Sequence, residues 1–406
     1  MRVCVVGGGL TGLVAALRLS GDNDVVVLER GDTPGGCLTS YHRNGYHVER
    51  FYHHLFPGDT HLLTLLKELG IDDRLEWLPG TTGYYVEGKI HHLTTPVEIL
   101  RYPHLSLTDK ARLALLTLRA RGMETESLDR VPAAEFIRTR FGDSLYASFF
   151  EPLLRSKFGD RAGEVSAAWL ISRIAIRSHR GAGGERLGYL KGGFHVLVDQ
   201  LAAAAVREGC QIRLSTAAGR PERHNGRWRV NGEPCDTVLC TIPPGGTGEG
   251  GSAGVPYQGA ACMTIGLDRD VAEGVYWLNM KDPAPYGAVV SHTNFVPVDR
   301  YGEHLVYLAS YFNRSLPPGY GDTMLADFSR RFRVPPSAIH WHALAVEPRA
   351  GPVFVTGYRK RIPDYGGGGC YRAGMFSLPN YPERSMEGSV VAGIQVADRI
   401  RGESHP

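Results

Sequence analysis

Three glycines near the start of the chain have the spacing of a pyrophosphate-binding turn. Gly7, Gly9 and Gly12 follow the apolar run 2–6, and residues 13–19 then carry apolar side chains at helical spacing. A glycine-rich turn between a buried strand and a helix presents backbone N–H groups and the positive end of the helix dipole to phosphate oxygens. The pattern therefore predicts a parallel strand, a phosphate-binding turn and a helix.

The position of each glycine suits a dinucleotide. Gly7 permits the tight turn, Gly9 lets the pyrophosphate approach the backbone, and Gly12 allows close packing of helix and strand. A second apolar run, 25–28, ends at Glu29. The carboxylate of Glu29 suits the two hydroxyls of an adenosine ribose and repels a 2′-phosphate. The glycines alone leave NAD and FAD both open.

Length and charge exclude several classes of protein. A chain of 406 residues has the length of about two domains, and its net charge of +3 is too small for a strongly basic nucleic-acid-binding protein. No run has the length and apolar character of a membrane span, and the N-terminal apolar run belongs to the nucleotide turn rather than to a signal peptide. We expect a cytoplasmic protein with a small-molecule substrate, and the oligomeric state stays open.

Cysteines and paired histidines do not form a metal-binding pattern. The seven cysteines are an odd set without close pairing, and most lie in predicted strands. Free, buried thiols in a reducing compartment are the favoured interpretation. The pairs His91–His92 and His340–His342 have no third ligand at metal spacing, so we predict no metal site.

Turn signals and apolar periodicity predict the remaining elements. Asn44-Gly45 and Glu87-Gly88 mark two hairpins, and a mostly helical block extends to residue 181. The other predicted elements are helices 61–69, 196–208, 324–332 and 389–400, strands 211–215, 227–231, 237–241, 261–267, 287–290, 305–311, 352–356 and 370–373, and a glycine-rich linker over 245–254.

Residues 106–121 form an amphipathic pattern within the helical block. Leu107, Leu115 and Leu118 share one predicted face, and Lys and Arg residues occupy the other. An ordinary domain helix with a solvated basic face is favoured over a helix that docks on a membrane. Peripheral membrane contact nevertheless stays open.

Further stretches distinguish between the two dinucleotides. Residues 29–40 resemble the flavoprotein run E-x(5,6)-G-G-R-x-x-S/T, with Cys37 where that run usually has Arg. Stretches 189–201, 236–244 and 371–375 together with 387–393 are similar to later flavin-binding segments of the same proteins. On these residues the chain resembles, over essentially its whole length, the FAD-dependent amine oxidase and protoporphyrinogen oxidase superfamily. That superfamily also contains phytoene desaturases and, more distantly, UDP-galactopyranose mutase.

The resemblance implies non-covalently bound FAD and a set of residues that hold it. Met375 stands where the superfamily commonly has Asp, and Ala218 stands where it usually has Val. The helix that starts near Glu387 is expected to direct N–H groups at the pyrimidine edge of the flavin. The implied FAD-binding residues are Gly7, Gly9, Leu10, Thr11, Gly12, Glu29, Arg30, Gly36, Cys37, Leu38, Thr39, Ala218, Thr241, Gly374, Met375, Glu387, Gly388 and Ser389.

The expected fold class is α/β. A discontinuous, Rossmann-like FAD-binding domain is combined with a second domain of mixed sheet and helices that binds the substrate. The expected segments are 1–75, 189–250 and 350–406 for the FAD-binding domain, and 76–188 and 255–349 for the substrate-binding domain.

Candidate catalytic residues follow from the same resemblance. His53 and His54 lie in the stretch that passes beside the flavin ring in the superfamily, and an imidazole there is suited to acid–base work near neutral pH. Because neighbours in an extended segment point in opposite directions, we expect at most one of them to serve. His292 follows a strand of the substrate sheet, and Tyr381 and Arg384 precede the flavin-binding helix as candidate substrate-binding residues.

The implied function is that of an FAD-dependent oxidoreductase. Hydride passes from an organic substrate, either an amine or a C–H of a ring or polyene, to flavin N5. The protein binds the flavin and the substrate, orients them and tunes the reactivity of the flavin. The first alternative resembles UDP-galactopyranose mutase, in which reduced flavin acts on a sugar nucleotide without net redox. A flavin-containing binding protein without turnover is the second alternative.

Overall fold

The computed structural model describes residues 1–177, 184–243 and 254–404. The predicted linker 245–254 lies outside the described residues, apart from Gly254. The strands are β1 Arg2–Val6, β2 Asp24–Leu28, β3 Ser40–Arg43, β4 Tyr46–Glu49, β5 Leu75–Gly80, β6 Thr82–Val86, β7 Lys89–His92, β8 Glu185–Leu190, β9 Gln211–Arg213, β10 Glu222–His224, β11 Arg227–Val230, β12 Glu233–Cys235, β13 Thr237–Cys240, β14 Tyr257–Leu267, β15 Trp277–Met280, β16 Ala288–Ser291, β17 His304–Phe312, β18 Ile339–Pro352, β19 Gly366–Gly367 and β20 Cys370–Arg372.

The helices are α1 Leu10–Ser20, α2 Thr60–Glu68, α3 Pro96–Arg101, α4 Leu107–Ala120, α5 Thr125–Leu128, α6 Ala133–Phe141, α7 Asp143–Leu145, α8 Glu151–Phe158, α9 Ala167–Arg177, α10 His195–Arg207, α11 Tyr320–Arg331 and α12 Met386–Ser404. None of these helices is long and apolar enough to cross a membrane.

The first sheet contains the predicted strand–turn–helix unit. Its strand order is β19-β20-β13-β1-β2-β9, and β1 pairs in parallel with both β2 and β13. The strands β1 and β2 are buried because helices cover the sheet, and α1 packs against both α10 and α12. The strand 2–6, the helix that follows it and the strand 25–28 are confirmed, and the Gly7–Gly12 turn lies at the carboxyl end of β1.

The second sheet has seven strands in the order β18-β14-β17-β16-β15-β6-β7. Both predicted hairpins are present, with turns at Asn44-Gly45 and Glu87-Gly88 that have positive φ. The predicted strand 352–356 is wrong, because residues 353–355 pack into the helical core and the strand at this point is β18. Pro348 and Gly351 interrupt the alternating pattern of β18 in the sequence, which hid the strand.

Helices α3 to α9 form a separate helical core beside the second sheet. The helix predicted over 106–121 is confirmed as α4, but its expected buried face is wrong. Leu107 and Leu118 are 78% and 81% exposed, whereas Leu113 and Leu116 are buried. The buried face also carries Asp109, whose carboxylate accepts hydrogen bonds from the hydroxyls of two serines. These hydrogen bonds offset the cost of burying the charge, and the spacing of residues in the sequence did not reveal them.

Candidate functional site

A single cavity of about 1710 Å³ connects the glycine turn to the second sheet and the helical core. Small-molecule sites usually have about 300–1,000 Å³, so this volume suits a cofactor together with a substrate. Its nucleotide end is lined by the Gly7–Gly12 turn and its far end by apolar residues of α4, α8 and α9. The tertiary structure therefore joins the predicted cofactor residues to a substrate-sized space.

The glycine turn fits a pyrophosphate. A Cβ on Gly12 would overlap the carbonyl oxygen of Gly7 and lie 2.9 Å from Thr241 Oγ1, so only glycine allows this close packing. At Gly9 the nearest protein atom to an added Cβ is 4.0 Å away, although Gly9 lines the cavity. No side chain caps the N-terminus of α1, so its first N–H groups are available to a ligand.

The second glycine run lies directly against the first. Gly35 N–H donates to Gly8 O over 2.8 Å, and the Thr39 hydroxyl donates to Gly36 O over 3.0 Å. Cys37 lines the cavity in place of the arginine of the flavoprotein run, and burial raises the pKa of its thiol. A neutral thiol supplies no positive charge to a phosphate at this position.

Glu29 lies beside both glycine runs. Its carboxylate oxygens accept the N–H groups of Gly8 and Gly31 over 2.7 and 2.8 Å. Because a carboxylate has about four acceptor positions, it retains capacity for two ribose hydroxyls. Arg30, which follows it, forms an exposed ion pair with Glu347 over 3.1 Å, although it also lines the cavity.

Other implied FAD-binding residues lie around the same space. Thr241 donates to Val6 O and Gly7 O over 2.9 and 3.0 Å, which holds the turn in place. Thr11 donates to Ser389 O over 3.1 Å and so links the start of α1 to α12. The implied residues that line the cavity are Gly7, Gly9, Leu10, Thr11, Gly12, Glu29, Arg30, Gly36, Cys37, Leu38, Thr39, Ala218, Thr241, Gly374, Met375 and Ser389.

Glu387 and Gly388 are not among the residues that line the cavity, so their implied place at the flavin stays a prediction. The carboxylate of Glu387 accepts the N–H groups of His61 and Leu62 over 3.0 and 2.8 Å, and thereby caps the N-terminus of α2. A Cβ on Gly388 would lie 2.6 Å from Pro379 O. Both residues therefore position α12.

His53 and His54 both line the cavity, so the expectation that at most one of them serves in catalysis stays a prediction. Residues 52–54 are not in a strand, and the alternation of a strand does not apply to them. Burial lowers the pKa of His53 to about 4 and lowers the pKa of His54 well below its usual value. His53 Nδ1 lies 2.7 Å from Phe51 O, so the neutral ring carries its proton on Nδ1 and leaves Nε2 as an acceptor.

His292 and Tyr381 lie outside the cavity lining. His292 is buried among tyrosines, with Nε2 2.8 Å from the Tyr301 hydroxyl, and burial lowers its pKa to about 3. The Tyr381 hydroxyl donates to Asp129 over 2.8 Å, and its ring stacks on Tyr358. Neither the position of His292 after a strand nor that of Tyr381 before α12 predicted which way the side chain points.

Several polar residues of the cavity were not predicted. Arg384 lines the cavity as expected, and the adjacent Glu383 lies there with Lys157 and Arg173. The hydroxyls of Tyr52 and Tyr311 lie 2.7 Å apart on the same surface. In the sequence Lys157 and Arg173 look like ordinary charges of amphipathic helices. The only indication in the sequence is that Lys157 lies close to the apolar residues Leu153, Leu154 and Phe158. Among the described residues, no group of three His, Cys, Asp or Glu is arranged to hold a metal ion.

The glycine turn, the parallel sheet and the adjoining cavity define a dinucleotide-binding protein. The family described as Flavin containing amine oxidoreductase matches residues 10–249, which is more than half of the chain. The chain belongs to this family. Membership confirms the predicted superfamily, FAD as the cofactor and the class of FAD-dependent oxidoreductases.

Individual relatives and solved structures agree with this assignment. The coproporphyrinogen III oxidase of Mycobacterium tuberculosis is 28% identical over 269 residues, which cover 59% of this chain and 58% of that protein. The chain thus matches little more than half the length of this curated relative. A structure from Exiguobacterium sp. 255-15, assigned as a protoporphyrinogen oxidase, has a TM-score of 0.76 at 19% identity and covers 99% of both chains. Reduced UDP-galactopyranose mutase has a TM-score of 0.74 at 16% identity, with 100% of this chain and 96% of that chain covered. The structural likenesses confirm the fold class.

Proposed function

We propose that the protein oxidises a large, partly apolar ring substrate of the porphyrinogen type. The observation that carries this proposal is the continuous cavity, which extends from the glycine turn past His53 to apolar side chains of α4 and α8. The relatives that act on coproporphyrinogen III support the same substrate class. The predicted C–H of a ring is therefore favoured over an amine.

When bound, FAD would supply the hydride acceptor for this oxidation, with oxygen or another acceptor as the final oxidant. The residues Gly7 to Gly12 and 35–39 would hold the pyrophosphate, and Glu29 would hold the ribose. Neutral His53, with its free Nε2, would accept the proton that the substrate loses together with the hydride. Tyr52 and Tyr311 would orient the substrate, because their paired hydroxyls face the same cavity.

The proposed protein works in the cytoplasm and binds FAD non-covalently. Five of the seven cysteines are buried, and none of the seven, all of which lie in the described residues, forms a disulfide, which supports work in the reducing cytoplasm. The sequence contains no match to the motif in which a cysteine is covalently linked to flavin, which supports non-covalent binding of FAD.

Anaerobic reduction of the bound flavin tests the proposal. Coproporphyrinogen III mixed with FAD-loaded protein should bleach the blue absorbance of the flavin. Because formation of a porphyrin removes six electrons and each flavin accepts two, at most about one porphyrin should form for three flavins reduced. Failure of this substrate to bleach a flavin that dithionite does reduce would refute the proposal. Conversion of UDP-galactopyranose by pre-reduced protein, without use of an acceptor, would favour the mutase alternative.

A further inference from the structure

A buried charged cluster lines the cavity. Glu383 lies between Lys157 of α8 and Arg173 of α9, with N···O distances of 3.5 and 3.6 Å. The Glu383 side chain is only 8% exposed, and those of Lys157 and Arg173 are 20% and 24% exposed. All three residues line the cavity, so their remaining accessible surface is open to it.

The cluster contains more positive than negative charge. Two cations share one carboxylate, and Arg384 adds a further cation at the adjacent position. Lys157 Nζ lies 4.7 Å from the centre of the Trp169 ring, which stabilises a cation but accepts no conventional hydrogen bond. Glu383 Oε2 is buried without a hydrogen-bond partner among the described residues. The cluster therefore has an excess of one positive charge or more.

Uncompensated buried charge costs free energy unless an opposite charge neutralises it. Burial lowers the pKa of Lys157 to about 7, Glu383 opposes that change, and Arg173 and Arg384 add to it. Burial alone would raise the pKa of Glu383, but Lys157, Arg173 and Arg384 hold it below its usual value. Glu383 thus stays ionised, and Lys157 is only partly protonated near pH 7 unless a further anion stabilises its charged form.

We propose that Lys157 and Arg173 form a carboxylate-binding subsite for the substrate and that Glu383 holds the two cations apart to receive it. The identification of the substrate as a porphyrinogen carboxylate rests on the proposed function. The preference for an anion rests on the cluster alone. A protonated amine would meet like charges in this wall, so the subsite selects carboxylate-bearing molecules within a family that also contains amine oxidases.

Binding of a carboxylate here also takes up a proton. The charged groups that face Lys157 are Glu383 and Arg384 from the C-terminal segment and Arg173 from α9. An added anion favours the protonated lysine, so affinity should be highest below pH 7 and decrease as the pH rises above it. Neutral ligands of the same shape should not show this dependence.

Calorimetric titration of the FAD-loaded protein tests the subsite with two isosteric probes, benzoate and benzamide, between pH 6.5 and 9. Wild-type protein should bind benzoate more tightly than benzamide, with proton uptake visible as a difference between buffers of unlike ionisation enthalpy. Lys157→Met should weaken benzoate about 10- to 100-fold, as expected for the loss of one charge-assisted contact, and should leave benzamide unchanged. Lys67→Met, on the exposed face of α2, is the matched control and should change neither ligand.

A second variant protects the test against a folding defect. Lys157→Arg keeps a permanent cation, so it should retain the preference for benzoate and lose the pH dependence. A purely structural cluster would change the melting temperature in these variants but not the ratio of the two affinities. Equal affinity of the wild-type protein for benzoate and benzamide would overturn the proposal.

The outcome is distinguishable from that of the proposed function. If Lys157-dependent binding of benzoate is present and coproporphyrinogen III does not reduce the flavin, the subsite stands and the porphyrinogen assignment fails. If coproporphyrinogen III and its tetramethyl ester are oxidised with equal kcat/KM by the wild-type protein, oxidation stands and the subsite fails.

Discussion

Replacement of Gly9 and of Gly12 by alanine should separate cofactor binding from folding. At Gly12 a Cβ would overlap Gly7 O and press on Thr241, so Gly12→Ala should lower the free energy of unfolding by about 1–3 kcal/mol. At Gly9 the backbone is extended, with φ −76° and ψ 178°, and the nearest atom to a Cβ is 4.0 Å away. Alanine therefore fits at this position. It lowers the conformational entropy of the unfolded chain, which stabilises the fold slightly, and it is a slightly poorer helix N-cap than glycine. Because these effects oppose each other, the free energy of unfolding should change by less than about 0.5 kcal/mol.

The same added methyl group at Gly9 projects into the cavity where the pyrophosphate is expected. It should displace the phosphate from the N–H groups of α1 and raise the Kd of FAD about 10-fold or more. Urea unfolding of the apoprotein measures the free energy of unfolding. Titration with FAD, followed by flavin fluorescence, measures the Kd of FAD. Wild-type affinity for FAD in Gly9→Ala, or wild-type stability of apo Gly12→Ala, would refute the reasoning.

Three further substitutions test individual residues. Glu387→Ala removes the cap of α2 and should lower the free energy of unfolding by about 1–2 kcal/mol, with the Kd of FAD within twofold of wild type. Asp59 lies in the cavity wall, and burial raises its pKa to about 6. Between about pH 4 and 6 the folded state then binds more protons than the unfolded state, so the free energy of unfolding of the apoprotein decreases as the pH rises. Asp59→Asn removes this ionisation. In urea unfolding it should be about 2 kcal/mol more stable than wild type at pH 7 but not at pH 4. His53→Gln should reduce kcat for coproporphyrinogen III about 100-fold or more and leave FAD binding intact, and an unchanged kcat would exclude His53 as the proton acceptor.

The cofactor end of the site was largely predictable from the sequence because it depends on local stereochemistry. Gly7 has φ +105°, and Gly12 packs against the carbonyl only five residues earlier, so these requirements lie within one short segment. The neighbouring strand and helix follow from short-range apolar periodicity. For this reason a single stretch of about 40 residues was sufficient to indicate the nucleotide turn.

Only the tertiary structure revealed the substrate end of the site. Lys157 and Glu383 are separated by 226 residues, and neither position differs in type from ordinary surface charges until α8 and the C-terminal segment meet. Glu387 caps a helix that lies 326 residues earlier, which no local pattern encodes. Long-range packing decides which charges lose water and which face the cavity, and those two outcomes determine what the protein can bind.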